Sequence, residues 1–68
     1  MKLSARNQLA GTIKDVKPGA TTTHVTIEVL STVLITASIT NESAQELGLK
    51  PGVKATAIIK SSDVIVGV

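Results

Sequence analysis

Residues 40–48 read TNESAQELG, and they are the only stretch of this 68-residue chain with a helical pattern. Ser43 and Glu46 have the spacing of a capping box, and Thr40 is another candidate N-cap. Gly48 suits the position just after the end of a helix. The residues on both sides alternate between apolar and polar, which is typical of strands. A single short helix within a chain of strands leaves few folds to choose from.

Three strands are predicted before this helix. Residues 3–16 have an extended pattern, in which Gly11 marks a bulge or bend. The stretch Lys17–Ala20 predicts a type II turn with Pro-Gly at its centre. Residues 22–30 and 32–39 then alternate cleanly and are rich in Thr, Val and Ile, which favours strands in both.

Two further strands are predicted after the helix, over residues 53–59 and 64–68, with a turn at 49–52. Three strands, a short helix and two strands is the order of the OB-fold. We therefore predict an all-β fold: an OB-fold-like, five-stranded Greek-key barrel with one short helix between strands 3 and 4. Residues 1–68 are predicted to form a single domain.

The apolar content of the chain predicts association between subunits. A domain of this size buries only about 60% of the surface of its unfolded chain and usually needs extra support. Disulfides are excluded because there is no Cys, and a Cys/His metal cluster is excluded because His24 is the only His. Since 43% of the residues are nevertheless apolar, we expect part of this surface to be buried against other copies.

Composition also argues against several classes of partner. The chain has no aromatic residue and a net charge of only +2. The chain therefore has no aromatic ring on which nucleic acid bases could stack, and its low net charge does not suggest a basic stripe. No segment approaches the ~18 apolar residues of a membrane span, and the N-terminus lacks the apolar stretch of a signal peptide. We expect a cytoplasmic protein that binds neither nucleic acid nor membrane.

Catalysis is not expected either. His24 lies on an otherwise polar strand face, where a solvated or interface role is the ordinary interpretation. Ser61, His24 and Asp63 include the residue types of a catalytic triad, but no strand-to-helix nucleophile elbow supports them. The chain is therefore predicted not to be an enzyme.

Anion binding has better support, because three short segments combine cations with hydroxyl groups. Alternate residues of an extended chain project to the same side, and a helix start offers free N–H groups. Each segment also has a structural interpretation, as an exposed strand, a helix cap or a turn. These residues alone leave both interpretations open. The candidates supply two cations and four hydroxyls: Ser4, Arg6, Thr40, Ser43, Lys60 and Ser61.

Three blocks of the sequence resemble the molbindin (Mop) domain in its stand-alone, single-domain form: SARNQLAG, ITNESAQELGLKPG and AIIKSSDVIVG. The resemblance covers essentially the whole chain. It implies an OB-related barrel in a homo-hexamer, built as a trimer of dimers, that binds molybdate and tungstate for storage and homeostasis. The same six residues, Ser4, Arg6, Thr40, Ser43, Lys60 and Ser61, match the positions at which the family binds the oxyanion between subunits.

The resemblance implies a second kind of oxyanion site, near a threefold axis and made mainly of main-chain groups. We place it at Gly19, Ala20, Thr21 and Thr22. No protein side chain is expected to coordinate the metal directly, and no organic cofactor is expected. Two alternatives remain open at this stage: a carrier of molybdopterin, and an OB-like nucleic-acid-binding module.

Overall fold

The structure, a computed structural model, describes residues 6–68 and contains one antiparallel sheet. The strands lie side by side in the order β3-β2-β1-β4. The helix comes between β3 and β4 in the chain, as predicted. The elements are β1 (Asn7–Pro18), β2 (Thr22–Val29), β3 (Val33–Thr40), α1 (Asn41–Glu46), β4 (Lys54–Ile59) and a single 3-10 turn (Ser61–Asp63).

Strand β1 is shared between two partners and bends the sheet. Its first half pairs with β4, from Asn7 opposite Ile59 to Thr12 opposite Lys54. Its second half pairs with β2, ending with Pro18 opposite Thr23. Ile35 on β3 and Ala57 on β4 line the same groove, although β2 and β1 lie between these two edge strands in the sheet. The sheet is therefore curled.

The bulge in β1 lies at Lys14, where the register shifts between Ile13 and Asp15. Of the bulge or bend predicted at Gly11, the bulge is wrong, because Gly11 pairs regularly with Ala55. A Cβ at Gly11 would clash with the carbonyl oxygen of Glu28 on β2. Glycine is needed there for the close approach of two strands.

The predicted type II turn at Pro18-Gly19 is also wrong. Pro18 still belongs to β1, and the Gly19 N–H donates to the Thr22 carbonyl at 2.7 Å. The connecting residues are therefore Ala20 and Thr21, one position later than the Pro-Gly pair suggested. Gly19 is not among the residues of positive φ, which a central Gly of a type II turn requires.

Helix α1 agrees closely with its prediction. Thr40 is the N-cap, and its Oγ1 accepts the N–H of Ser43 at 3.1 Å. The Ser43–Glu46 capping box does not form, because the cap lies three residues before Ser43 rather than at it. Glu46 is the last helical residue, Leu47 is the C-cap, and Gly48 follows with a φ of 64°. Gly48 therefore has the left-handed conformation that was expected after the helix.

The core is a small apolar cluster on the concave side of the sheet. A groove of about 470 Å³, lined by residues from all four strands, opens between the two edge strands β3 and β4. Five buried residues form the cluster: Ile13, Val25, Ile27, Val29 and Ala57.

The fifth predicted strand does not form in this single chain. Residues 64–68 pair with no strand of the described sheet, and Ile65 and Val66 are 94% and 83% exposed. A strand requires hydrogen-bonding partners on a neighbouring strand. Neither β3 nor β4, the two edge strands, pairs with residues 64–68. The described part of the chain therefore has an open, four-stranded sheet instead of a closed five-stranded barrel.

Candidate functional site

Arg6 and Lys60 adjoin the last paired residues at the beginning of β1. Asn7 pairs with Ile59, and the Asn7 Nδ2 donates to the Ile59 carbonyl at 3.1 Å. Continuing this register by one residue places Arg6 opposite Lys60, and both are exposed. Neither cation has an acidic partner among residues 6–68. Like charges in opposite positions repel, so an anion between them would be stabilised. The ion pairs in the described chain are instead Lys14–Glu28 and Lys17–Asp15.

Ser61 follows directly after Lys60 and begins the 3-10 turn. The turn is closed by the main chain, because the Asp63 N–H donates to the Lys60 carbonyl at 2.9 Å. The Ser61 hydroxyl makes no hydrogen bond within residues 6–68. Ser4, predicted to act with Arg6, lies outside the described residues.

Thr40 and Ser43 form a hydroxyl pair at the start of α1. Thr40 Oγ1 donates to Ser43 Oγ at 2.9 Å while it accepts the Ser43 N–H. The Ser43 hydroxyl proton has no acceptor in the described part of the chain. Glu42 lies in the first turn of the same helix and partly offsets the attraction of this end for an anion.

These two groups of candidate residues lie at opposite ends of the sheet. Thr40 pairs with Thr22, whose carbonyl is bonded to Gly19, so Thr40 is level with the end of β1. Arg6 and Lys60 are level with its beginning. The predicted set is therefore not assembled into one pocket by the described chain.

Asn41 holds the Gly19–Thr22 loop, which was predicted to form the second oxyanion site. In the sequence, Asn41 was noted only as part of the stretch that begins the helix. Asn41 Nδ2 donates to the carbonyls of Gly19 at 3.0 Å and Ala20 at 3.4 Å. The hydroxyl of Thr23 donates to Asn41 Oδ1 at 2.6 Å. No local pattern indicates contacts between residues about 20 positions apart, which is why the sequence did not reveal them.

The arrangement does not support a catalytic triad or a metal cluster. His24 is exposed and pairs with Lys17 and Ser38, far along β1 from Ser61 and Asp63. Within residues 6–68, no three His, Asp or Glu side chains are grouped so as to hold a metal ion. Among the same residues, no helix is long and apolar enough to cross a membrane.

Comparisons of sequence agree with this picture. The family model of the TOBE domain matches residues 3–66. Molybdenum-pterin-binding protein 1 of Clostridium pasteurianum is 44% identical over 66 residues, which cover 97% of each chain. The probable molybdenum-pterin-binding protein of Haemophilus influenzae is 37% identical over 68 residues, covering 100% of this chain and 99% of the relative.

Solved structures share the fold. The cytoplasmic molybdate-binding protein ModG, with molybdate bound, is 48% identical, with a TM-score of 0.96 over 100% of this chain and 48% of its own. MopII from Clostridium pasteurianum is 40% identical, with a TM-score of 0.92 over 98% of this chain and all of its own. The curled sheet with one helix is thus the OB-like fold of these proteins. The chain belongs to the TOBE-domain family, and two of its relatives of similar length are described as molybdenum-pterin-binding proteins.

Proposed function

We propose that this protein binds molybdate, and tungstate in its place, for storage and homeostasis of the oxyanion in the cytoplasm. The ligand lies between subunits of a homo-hexamer, built as a trimer of dimers. Six residues bind it: Ser4, Arg6, Thr40, Ser43, Lys60 and Ser61. Support comes from family membership and from the molybdate-bound structure of ModG.

The observation that carries this proposal is the separation of the candidate residues along β1. Arg6 and Lys60 place two positive charges without a carboxylate at the beginning of the strand. The hydroxyls of Thr40 and Ser43 form a pair near the end of the strand. Residues at opposite ends of one chain can contact the same ligand only across an interface between two copies. A single site that uses both groups therefore requires a position between subunits.

The chemistry suits a tetrahedral dianion. The guanidinium and the ammonium balance its two charges, and charge-assisted hydrogen bonds are about twice as strong as neutral ones. Sulfate carries the same charge, so the site must reject it by size, molybdate being the larger anion. Phosphate usually keeps a proton at neutral pH and requires an acceptor, which a site made of donors does not offer.

The test is competition between the two dianions, because it addresses ligand class and selectivity together. The protein is dialysed against limiting molybdate in excess sulfate, and the retained molybdenum is measured. We expect retention by the wild type. Loss of all molybdenum to sulfate would contradict the proposal.

Arg6→Ala and Lys60→Ala should each weaken binding by at least about tenfold, because each removes a hydrogen bond to a charged ligand. Lys54→Ala is the matched control, since Lys54 is an exposed cation on β4 outside the candidate set. Equilibrium dialysis measures all three variants. Unchanged affinity in Arg6→Ala and Lys60→Ala would remove both residues from the site.

A carrier of molybdopterin is the second candidate, because the curated relatives are molybdenum-pterin-binding proteins. In a carrier, the pterin ring would bind in the apolar groove of about 470 Å³. The chain has no aromatic residue that could stack on this ring. Pterin fluorescence that copurifies with the protein, in stoichiometric amount, would favour the carrier over the oxyanion store.

A further inference from the structure

The side chain of Asn7 joins the beginning of β1 to the end of β4. Its Nδ2 donates to the carbonyl of Ile59 at 3.1 Å, in addition to the pairing of these two residues in the sheet. Asn7 and Ile59 are the outermost pair of the two strands within residues 6–68. The Ile59 carbonyl belongs to the peptide group that leads into Lys60. The bond therefore holds the peptide group from which Lys60 and the following 3-10 turn project.

The Asn7 side chain lies on the opposite face of the sheet from the two cations of the candidate site. Ile59 lines the concave groove, and Asn7 shares its face because the two residues are directly opposite each other. Successive residues of a strand point to opposite faces. Arg6 and Lys60 are each one position beyond this pair, so they share the outer face. An anion between Arg6 and Lys60 is thus on the other side of the sheet from the Asn7 carboxamide.

Repulsion between the two cations acts against strand pairing at this end of the sheet. Like charges at opposite positions of neighbouring strands are destabilising. Neither Arg6 nor Lys60 has an acidic partner among residues 6–68. Ends of elements are also where a fold opens most easily. The hydrogen bond from Asn7 opposes this separation in the ligand-free protein.

We infer that Asn7 is a positioning residue for the oxyanion site, and that it holds Lys60 opposite Arg6 before the anion binds. Apparent affinity falls in proportion to the fraction of the protein in its binding-competent arrangement. A hydrogen bond that keeps the strand ends together raises this fraction, and it raises the affinity without touching the ligand. This inference rests on the proposed function, because it takes molybdate as the anion between the two cations.

The test is a pair of double-mutant cycles on the full chain, with molybdate affinity measured by equilibrium dialysis. Asn7→Leu keeps a similar shape and removes the amide donor. One cycle combines it with Lys60→Ala, which removes the side chain that Asn7 is inferred to hold. The other cycle combines it with Ser43→Ala, in α1 beyond the far end of β1. Thr32→Val is the control, because it also removes a side-chain donor to a carbonyl, that of Leu30.

Asn7→Leu should weaken molybdate binding roughly fivefold, as loss of one neutral hydrogen bond would, whereas Thr32→Val should leave the affinity unchanged. In the Lys60→Ala background the effect of Asn7→Leu should fall below about twofold, because the repulsion and the side chain to be held are both gone. In the Ser43→Ala background the full effect should remain, since the two changes act at opposite ends of β1. If Asn7→Leu does not fold, as judged by circular dichroism, Asn7→Ala takes its place in both cycles.

Two results would overturn the inference and leave the proposed function standing. One is wild-type affinity in Asn7→Leu, or in Asn7→Ala in its place. The other is an effect of the Asn7 variant that is equally large with and without the Lys60 side chain, as a general loss of stability would produce. A wild type that binds no molybdate would overturn both the inference and the proposed function.

Discussion

Arg6 and Lys60 show how much of the candidate site could be predicted from residue types alone. A chain with one Arg and few acids directs attention to its cations and nearby hydroxyls. The structure then brings Arg6 and Lys60 to the same end of β1, which their separation in the chain does not reveal. Asn41 was recognised only as part of the helix start, because its partners depend on how the β1–β2 hairpin lies against α1.

Gly11 is the residue at which we expect the largest cost of adding a single methyl group. Gly11→Ala would force a Cβ against the Glu28 carbonyl and within 2.9 Å of Ile27 Cγ2. Such overpacking typically costs about 1–3 kcal/mol, so the midpoint of thermal unfolding should fall. Gly67→Ala is the control, since a Cβ there meets nothing within 4 Å. Equal midpoints for the two variants would contradict the close approach of β1 and β2.

At the scale of elements, local patterns predict where α1 and the strands lie but not how they are joined. The N-cap and the glycine after the helix act within one turn, so both are visible in the sequence. The turn between β2 and β3 is different. Leu30 and Ser31 both have positive φ there, at 55° and 60°, although neither is a Gly or Asn. Pairing of the two strands imposes this conformation against local preference.

Thr40 and Ser43 allow the stability of α1 to be separated from its part in binding. Thr40→Ala should lower the free energy of unfolding by about 1 kcal/mol, because it removes the cap, and should also weaken molybdate binding. Ser43→Ala should weaken binding but leave stability nearly unchanged, because the Ser43 N–H still reaches Thr40 Oγ1. Denaturant unfolding and equilibrium dialysis measure the two effects. Full molybdate affinity in Ser43→Ala would exclude its hydroxyl from the site.

At the scale of the whole molecule, the single chain leaves much apolar surface uncovered. The groove between β3 and β4 is open, and the apolar residues 64–68 are exposed. A patch of this kind usually marks a surface that another protein covers. Composition likewise predicts association between copies, since the chain has more apolar residues than its own interior can hold.

We therefore expect a hexamer in native mass spectrometry of the wild type. Ile65→Asp should shift the population to smaller species, because it places a charge in an apolar segment that is 94% exposed in the single chain. Ile65→Val, which keeps the segment apolar, should remain hexameric. A stable wild-type monomer would contradict both the assembly and the placement of the oxyanion between subunits.

The sequence by itself determined the all-β class, the position of the helix, its caps and the residue types of the candidate site. These features depend on short-range periodicity and on side-chain chemistry, and both can be read directly from the order of residues. Only the tertiary structure decided the bulge at Lys14, the turn at Ala20 and Thr21, and the exposed state of residues 64–68. Each of these depends on which strands pair and in what register, and pairing is a property of segments far apart in sequence.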